Sequence, residues 1–465
     1  MTENAGARID SRINSRIDAL RDAVRDLMPR AKSDLTELVS YKSVYDERQF
    51  PIEECHRAAH WVADACAAEG LADVGLHPTA DGSLAVVATR PGPPDAPHVL
   101  LYCHYDVQPP LGEDAWRTPV WELTERDGRW YGRGAADCKG NIVMHLTALR
   151  ALRKLGGDDY PVGITLVAEG SEEQGTGGLE DFVPRNADLL RADAILIGDC
   201  GNFAVGVPTF TETLRGNVNV VVRIETLSGE MHSGMFGGAA PDALAALIQL
   251  LATLRDAEGN TTVAGLANDQ TWDGVQYPEA QFRSDAGVLD GVRLTGSGTV
   301  ADMLWARPAL TVLGIDAPGV VGSAAAVQPR AAARLNLRIP PGIDPQRARK
   351  SLTAHLESHV PFGARITVET EATGAPFRSP AGGPARTAME AAFAASYGRE
   401  ATTMGQGGSI PLCTVFADTY PRAEILLMGV EEPTCLIHAP NESVDPTEIE
   451  HMALAEALFL ATYTR

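Results

Sequence analysis

The chain has 465 residues, beyond the usual size of one folded domain, so two or three domains are expected. Its 39 Lys and Arg stand against 61 Asp and Glu, a formal net charge of −22. That balance excludes sequence-independent nucleic-acid binding and attachment to an anionic membrane surface, both of which need clustered cations.

The chain opens with Ile9, Ile13, Ile17, Leu20, Val24 and Leu27 at steps of three and four, the period of an amphipathic helix packed on its own domain. This start is charged throughout and lacks the apolar stretch of a signal peptide. No run has the length and apolarity of a membrane span. A second helix is expected over residues 52–68. HVLLYCHYDV (98–107), PVGITLVAEG (161–170) and DAILIGD (193–199) read as strands, and NIVMHLTALRALRKLG (141–156) as a helix between the first two. Strands alternating with helices predict a parallel or mixed sheet whose ligands gather at the carboxyl ends of its strands.

After residue 209 the pattern changes. VNVVVRIETLSG (218–229), a helix from Pro241, RAAARLNLRIP (330–340), a helix from Pro345 and ARITVETEA (364–372) form a separate α/β unit. A polar stretch over 257–303 interrupts it. The α/β pattern then resumes with a helix near 384–397, the EILLMGV strand (424–430) and a closing helix from Pro446. The expected division is 1–209 and 377–465 for one domain, with 210–376 inserted into it. Seven cysteines without CxxC spacing point to a reduced, cytoplasmic setting.

Ligand-type residues recur just past strands or before a helix. His104 and Asp106 follow HVLLYC, Asp137 lies in WYGRGAADCKG, and Glu172 and Glu173 follow ITLVAEG. Asp199 follows DAILIG, and His438 in CLIHAPNE comes after EILLMGV. A single such residue is ordinarily a solvated turn acid or a structural histidine. Several on one sheet edge are expected to meet, and imidazoles with carboxylates suit zinc, manganese or cobalt. Cys103 and Cys138 flank this set, but neither has an assigned base, which argues against a cysteine hydrolase.

The segments LYCHYDVQP, WYGRGAADCKG, EGSEEQGTGG, ETLRG, MHSGMFGG, GGSIP and HAPNE occur in family order from about residue 99 to 442. Through them the sequence resembles the zinc-dependent aminoacylase, carboxypeptidase G and succinyl-diaminopimelate desuccinylase family, in its carnosinase-like dipeptidase branch. The resemblance implies an α/β catalytic domain with a central mixed sheet flanked by helices, and an inserted ferredoxin-like lid and dimerisation domain. It implies two divalent ions per subunit, with Asp137 bridging them. His104 and Asp199 would complete one ion's ligands, and Glu173 and His438 the other's. Asp106 would orient His104, and the peptide after Asp137 would be cis.

Glu172 would then be the general base and acid for attack of a metal-bridging hydroxide on the amide of a small peptide. His232 would stabilise the oxyanion from the partner subunit of a homodimer. Arg330 would clamp the substrate carboxylate, and Gln406, Gly407, Gly408 and Ser409 would line the pocket. Relatives of this branch commonly carry REGGSIP, with a glutamate on the substrate amine; this chain reads GQGGSIP. A neutral Gln406 predicts altered or relaxed recognition of a free amino terminus. An N-acyl amino acid amidohydrolase and a non-catalytic dimeric scaffold are the alternatives at this point.

Overall fold

A computed structural model describes residues 3–157, 160–380 and 382–464, with side chains from Ser15 onward. The chain forms two compact units. The first comprises the residues up to Thr211 with 379–403 and the residues from Val415 onward; the second comprises Glu212–Arg378 and Met404–Thr414. The sequence pattern assigned 404–414 to the closing segment of the first domain. The structure packs it with the second unit, where the Arg215 amide donates to the Gln406 carbonyl at 3.2 Å.

In the first unit the sheet runs in the order Asp73–Pro78, Leu84–Arg90, Gly163–Glu169, His98–His104, Ala194–Gly198, Glu424–Met428. The first two pairings are antiparallel, and the strands from Gly163–Glu169 to Glu424–Met428 are parallel. Their near-continuous Val, Ile and Leu runs are buried on both faces, as parallel strands require. Four carboxyl ends therefore share one edge, the place where such sheets collect ligands.

Helices flank this sheet. Lys139–Gly156 is buried from its first residue to Leu152, and Pro446–Thr462 is buried along nearly all its length. Glu3–Ser40 packs against both. Leu20 and Val24 sit in the core with Ile17 and Leu27 at its margin, as the helical period predicts; the side chains of Ile9 and Ile13 lie outside the described residues. Asp445 accepts from the Thr447 amide at 2.9 Å with Pro446 opening the helix, so a short local signal sets the start of the closing helix.

The second unit is a β-α-β-β-α-β chain: Gly216–Glu225, Ala243–Ala252, Ala309–Asp316, Arg330–Ile339, Pro345–His359 and Arg365–Gly374. Its four strands are antiparallel in the order Ala309–Asp316, Arg330–Ile339, Gly216–Glu225, Arg365–Gly374, the ferredoxin-like arrangement. Alternation in Gly216–Glu225 sends Val218, Val220, Val222 and Ile224 into a core shared with Leu247, Leu250, Leu352 and Leu356 of the two helices. The sequence pattern missed Ala309–Asp316. This is an edge strand, exposed over its last six residues, so no apolar alternation marks it.

Candidate metal centre

His104 is the last residue of the His98–His104 strand and is wholly buried. Its Nε2 lies 2.9 Å from Asp137 Oδ1 and 3.2 Å from Asp199 Oδ1. Its Nδ1 lies 3.1 Å from the Asp106 carbonyl and 3.4 Å from Asp106 Oδ1, so the ring is held from behind. Asp137 sits in the loop before the Lys139–Gly156 helix, and its peptide to Cys138 is cis, as the resemblance implies. The other Asp137 oxygen, Oδ2, is 3.0 Å from His438 Nε2, which is 3.1 Å from Glu173 Oε2. One carboxylate thus divides its two oxygens between two histidines.

Asp106 does more than the sequence suggested. It is fully buried, and its two oxygens accept from the backbone amides of Glu172 (3.2 Å) and Glu173 (3.0 Å). It therefore braces the turn that carries both glutamates. Gln108 Nε2 donates to Glu173 Oε2 at 2.9 Å and aims that side chain. Glu172, one residue earlier, belongs to neither ligand group.

The donor set fits two divalent cations. One group holds His438, Asp137 and Glu173 and the other His104, Asp199 and Cys138, with ligand atoms within 4.8 Å of one another in each, and Asp137 Oδ1 also lies 2.9 Å from His104; imidazole nitrogen with carboxylate oxygen is the chemistry that zinc, manganese and cobalt accept. The charge balance points the same way. Burial pushes the Glu172 carboxyl well above the usual range, and the Asp199 charge adds to this. Burial, with the charge of Asp137, moves Glu173 up to about 7. Burial likewise raises Asp199. Burial opposes ionisation of Asp137 as well, but hydrogen bonds from His104 and His438 outweigh it and hold Asp137 low. Crowded, buried carboxylates of this kind are relieved by a cation. Cys138 lies close to His104 and Asp199, yet its Sγ donates to the Gly198 carbonyl at 2.8 Å and burial raises its pKa to about 12.

Of the buried glutamates that the sequence reading did not name, two lie beside the site. Glu442 is wholly buried: Oε1 accepts from the amides of Ala136 and Asp137 (both 3.1 Å), and Oε2 from Gly134 (3.0 Å) and Arg133 Nη1 (2.7 Å). It clamps the loop that presents Asp137. Glu431 accepts from Asn141 Nδ2 at 2.8 Å; burial and the charges of Asp137 and Asp199 raise it well above the usual range. Glu431 follows the Glu424–Met428 strand, so the same strand-end rule would have found it. Glu442→Gln is expected to destabilise the protein by about 3–5 kcal/mol, because Arg133 loses its buried counter-charge. Denaturant midpoints check this; a change under about 1 kcal/mol would mean the clamp carries no stability.

The remaining candidates lie in the second unit. Ser409 Oγ donates to the Arg215 carbonyl and accepts from Arg338 Nη1 at 3.2 Å. Arg330 instead is 72% exposed, with Nε 3.1 Å from Glu225. Arg330 and Arg338 belong to one strand, eight residues and about 26 Å apart at strand rise. The structure therefore groups Arg338, not Arg330, with Ser409, and the two arginines could not be told apart by pattern because both repeat on the same face. His232 is exposed, paired across from Ala326 near the Arg330 end, and its Nδ1 accepts from the Gly234 amide at 3.1 Å. Gln406 Oε1 is buried without a hydrogen-bond partner among the described residues, and a side chain on Gly407 would meet Arg215 Nη2 at 2.7 Å. Gly408 has open space around it, with only Gln406 Nε2 near, at 3.8 Å.

The sequence matches the family described as Peptidase family M20/M25/M40 over residues 100–462. It is 43% identical over 438 residues to a cysteinylglycine-S-conjugate dipeptidase of Corynebacterium striatum, covering 93% of this chain and 95% of that one. Human carnosine dipeptidase 1 superposes with a TM-score of 0.81 at 25% identity, over 96% of this chain and 98% of that one. The dipeptidase Dug1p from Saccharomyces cerevisiae shares the fold, with a TM-score of 0.82 at 23% identity over 96% of this chain and 98% of that one. By this match and this identity, the chain belongs to the peptidase family M20/M25/M40.

Proposed function

We propose that this protein is a metal-dependent dipeptidase in which Glu172 moves the proton. The observation that carries this reading is the position of Asp137: its Oδ1 faces His104 and its Oδ2 faces His438, while Glu172, beside Glu173, is in neither cluster. His104, Asp199 and Asp137 would hold one divalent ion, and His438, Glu173 and Asp137 the other, zinc first among the metals these donors accept. When bound, such ions supply Lewis acidity that polarises an amide carbonyl and makes a water acidic. Glu172 takes the proton of the attacking water and returns it to the departing amine. Asp106 keeps Glu172 in register through its backbone amide.

For the substrate carboxylate, Arg338 beside Ser409 is the better clamp than Arg330, whose guanidinium is engaged with Glu225. His232 would act in the active site of a partner subunit. Its position near the Arg330 end of the sheet, a strand's length from Ser409, favours such a role across a homodimer over one in its own chain's pocket. All seven cysteines are free and buried, which fits a reducing cytoplasm, and no helix is long and apolar enough to cross a membrane among the described residues.

The deacylase and scaffold readings are less favoured: the relatives named above are dipeptidases, and the clustering of His104, Asp137, Glu173, Asp199 and His438 supports a catalytic reading. The test is turnover by zinc- or manganese-loaded protein on Cys-Gly, S-benzyl-Cys-Gly, β-Ala-His and N-acetyl-alanine. Cleavage of the dipeptides over N-acetyl-alanine is expected; the reverse preference would make the protein a deacylase, and no turnover of any would make it a scaffold. In the same panel Gln406→Glu is expected to lower KM for free-amine dipeptides about tenfold, since a carboxylate replaces a neutral amide opposite an ammonium. An N-acetylated dipeptide should show no such gain. Equal shifts for both would remove Gln406 from amine recognition.

A further inference from the structure

The polar stretch that sequence left without a role forms much of a cavity of about 250 Å³ inside the second unit. Its wall contains three guanidinium groups, Arg215, Arg255 and Arg307, and an apolar side that includes Phe282, Leu294 and Met303. No Asp or Glu lines it, in a chain whose net charge is −22.

Two of the arginines are already occupied. Arg255 Nη2 donates to the Leu310 carbonyl, and Arg307 donates to the carbonyls of Gln270 (2.7 Å) and Ser297. Arg307 also faces Asp302, a carboxylate committed to the amides of Trp272 and Thr299. Arg215 differs. It is only 8% exposed, and its Nε and Nη1 have no hydrogen-bond partner among the described residues. Its surroundings add no compensating charge: burial lowers its pKa to about 10, and the like charge of Arg338 adds to that effect. A buried, unpaired guanidinium is costly, and the group that relieves it is an oxyanion with fork geometry.

We infer that this cavity binds a small organic oxyanion, a carboxylate on an apolar body, with Arg215 pairing the carboxylate and Phe282, Leu294 and Met303 enclosing the body. The volume lies just below the usual range for drug-sized ligands, so the ligand is of aromatic-acid size. This inference stands apart from the metal centre, because it concerns binding within the second unit alone.

The test is calorimetric titration of metal-loaded protein with benzoate and, as its uncharged counterpart, benzamide. Benzoate is expected to bind saturably, and benzamide at least about tenfold more weakly. Arg215→Met removes the charge and Met303→Trp fills the apolar side while leaving the arginine intact; each should weaken benzoate at least about tenfold. Near-ultraviolet circular dichroism identifies whichever variant keeps its packing, and that variant decides. Benzoate binding that survives in a folded variant, equal binding of benzoate and benzamide, or no binding at millimolar benzoate would overturn the proposal. Once binding is seen, competition against a dipeptide separates an anion that belongs to the substrate from an independent effector.

Discussion

Glu172→Gln is expected to lower kcat on dipeptides by about 10²–10⁴-fold while the protein keeps two metal equivalents per chain. The magnitude is that of a positioned general acid–base group. The retention of metal follows from the proposed geometry: the proposed ligand groups are His104 with Asp199 and Asp137, and His438 with Glu173 and Asp137, and Glu172 is outside both. Folding should hold as well. Burial and the nearby charge of Asp199 oppose ionisation of Glu172, so an isosteric neutral amide relieves like-charge crowding. Steady-state kinetics beside metal analysis by mass spectrometry checks the prediction. A variant that turns over at the wild-type rate would remove Glu172 from the chemistry; one that loses both rate and metal would make it a ligand.

Asp137→Ala should do what no other single substitution in the site can, removing an oxygen from both metal groups at once. Oδ1 faces His104 and Oδ2 faces His438, so each group would be left with one imidazole and one carboxylate. The loss in affinity for both ions is expected to exceed the 10–100-fold that removal of an outer hydrogen-bonding partner brings. Glu173→Gln is the control: it weakens only the group that contains His438. Metal titration should give two equivalents for the wild type, about one for Glu173→Gln and fewer than one for Asp137→Ala at micromolar zinc. If Asp137→Ala and Glu173→Gln gave the same stoichiometry, the carboxylate would not be shared.

Much of this site was legible because strand ends are marked locally. An apolar run stops, an acid or histidine follows, and parallel pairing brings His104, the Glu172–Glu173 turn and Asp199 to one edge. The same logic fails where a partner comes from far along the chain. Glu442 bonds amides some 300 residues earlier, and nothing near Asn441 or Glu442 announces this. Arg330 and Arg338 share strand, face and chemistry; only the packing of 404–414 beside Arg338 separates them. The Ala309–Asp316 strand was hidden because an exposed edge imposes no apolar alternation. Local pattern reports where a side chain leaves its strand, and tertiary packing decides what it meets.

The most direct measurement is an anomalous difference map from crystals loaded with zinc, recorded on both sides of the zinc absorption edge. Two peaks are predicted, one beside His104 and Asp199 and one beside Glu173 and His438, each contacted by a different oxygen of Asp137. A single peak, or two peaks of which only one touches Asp137, would contradict the shared-carboxylate centre.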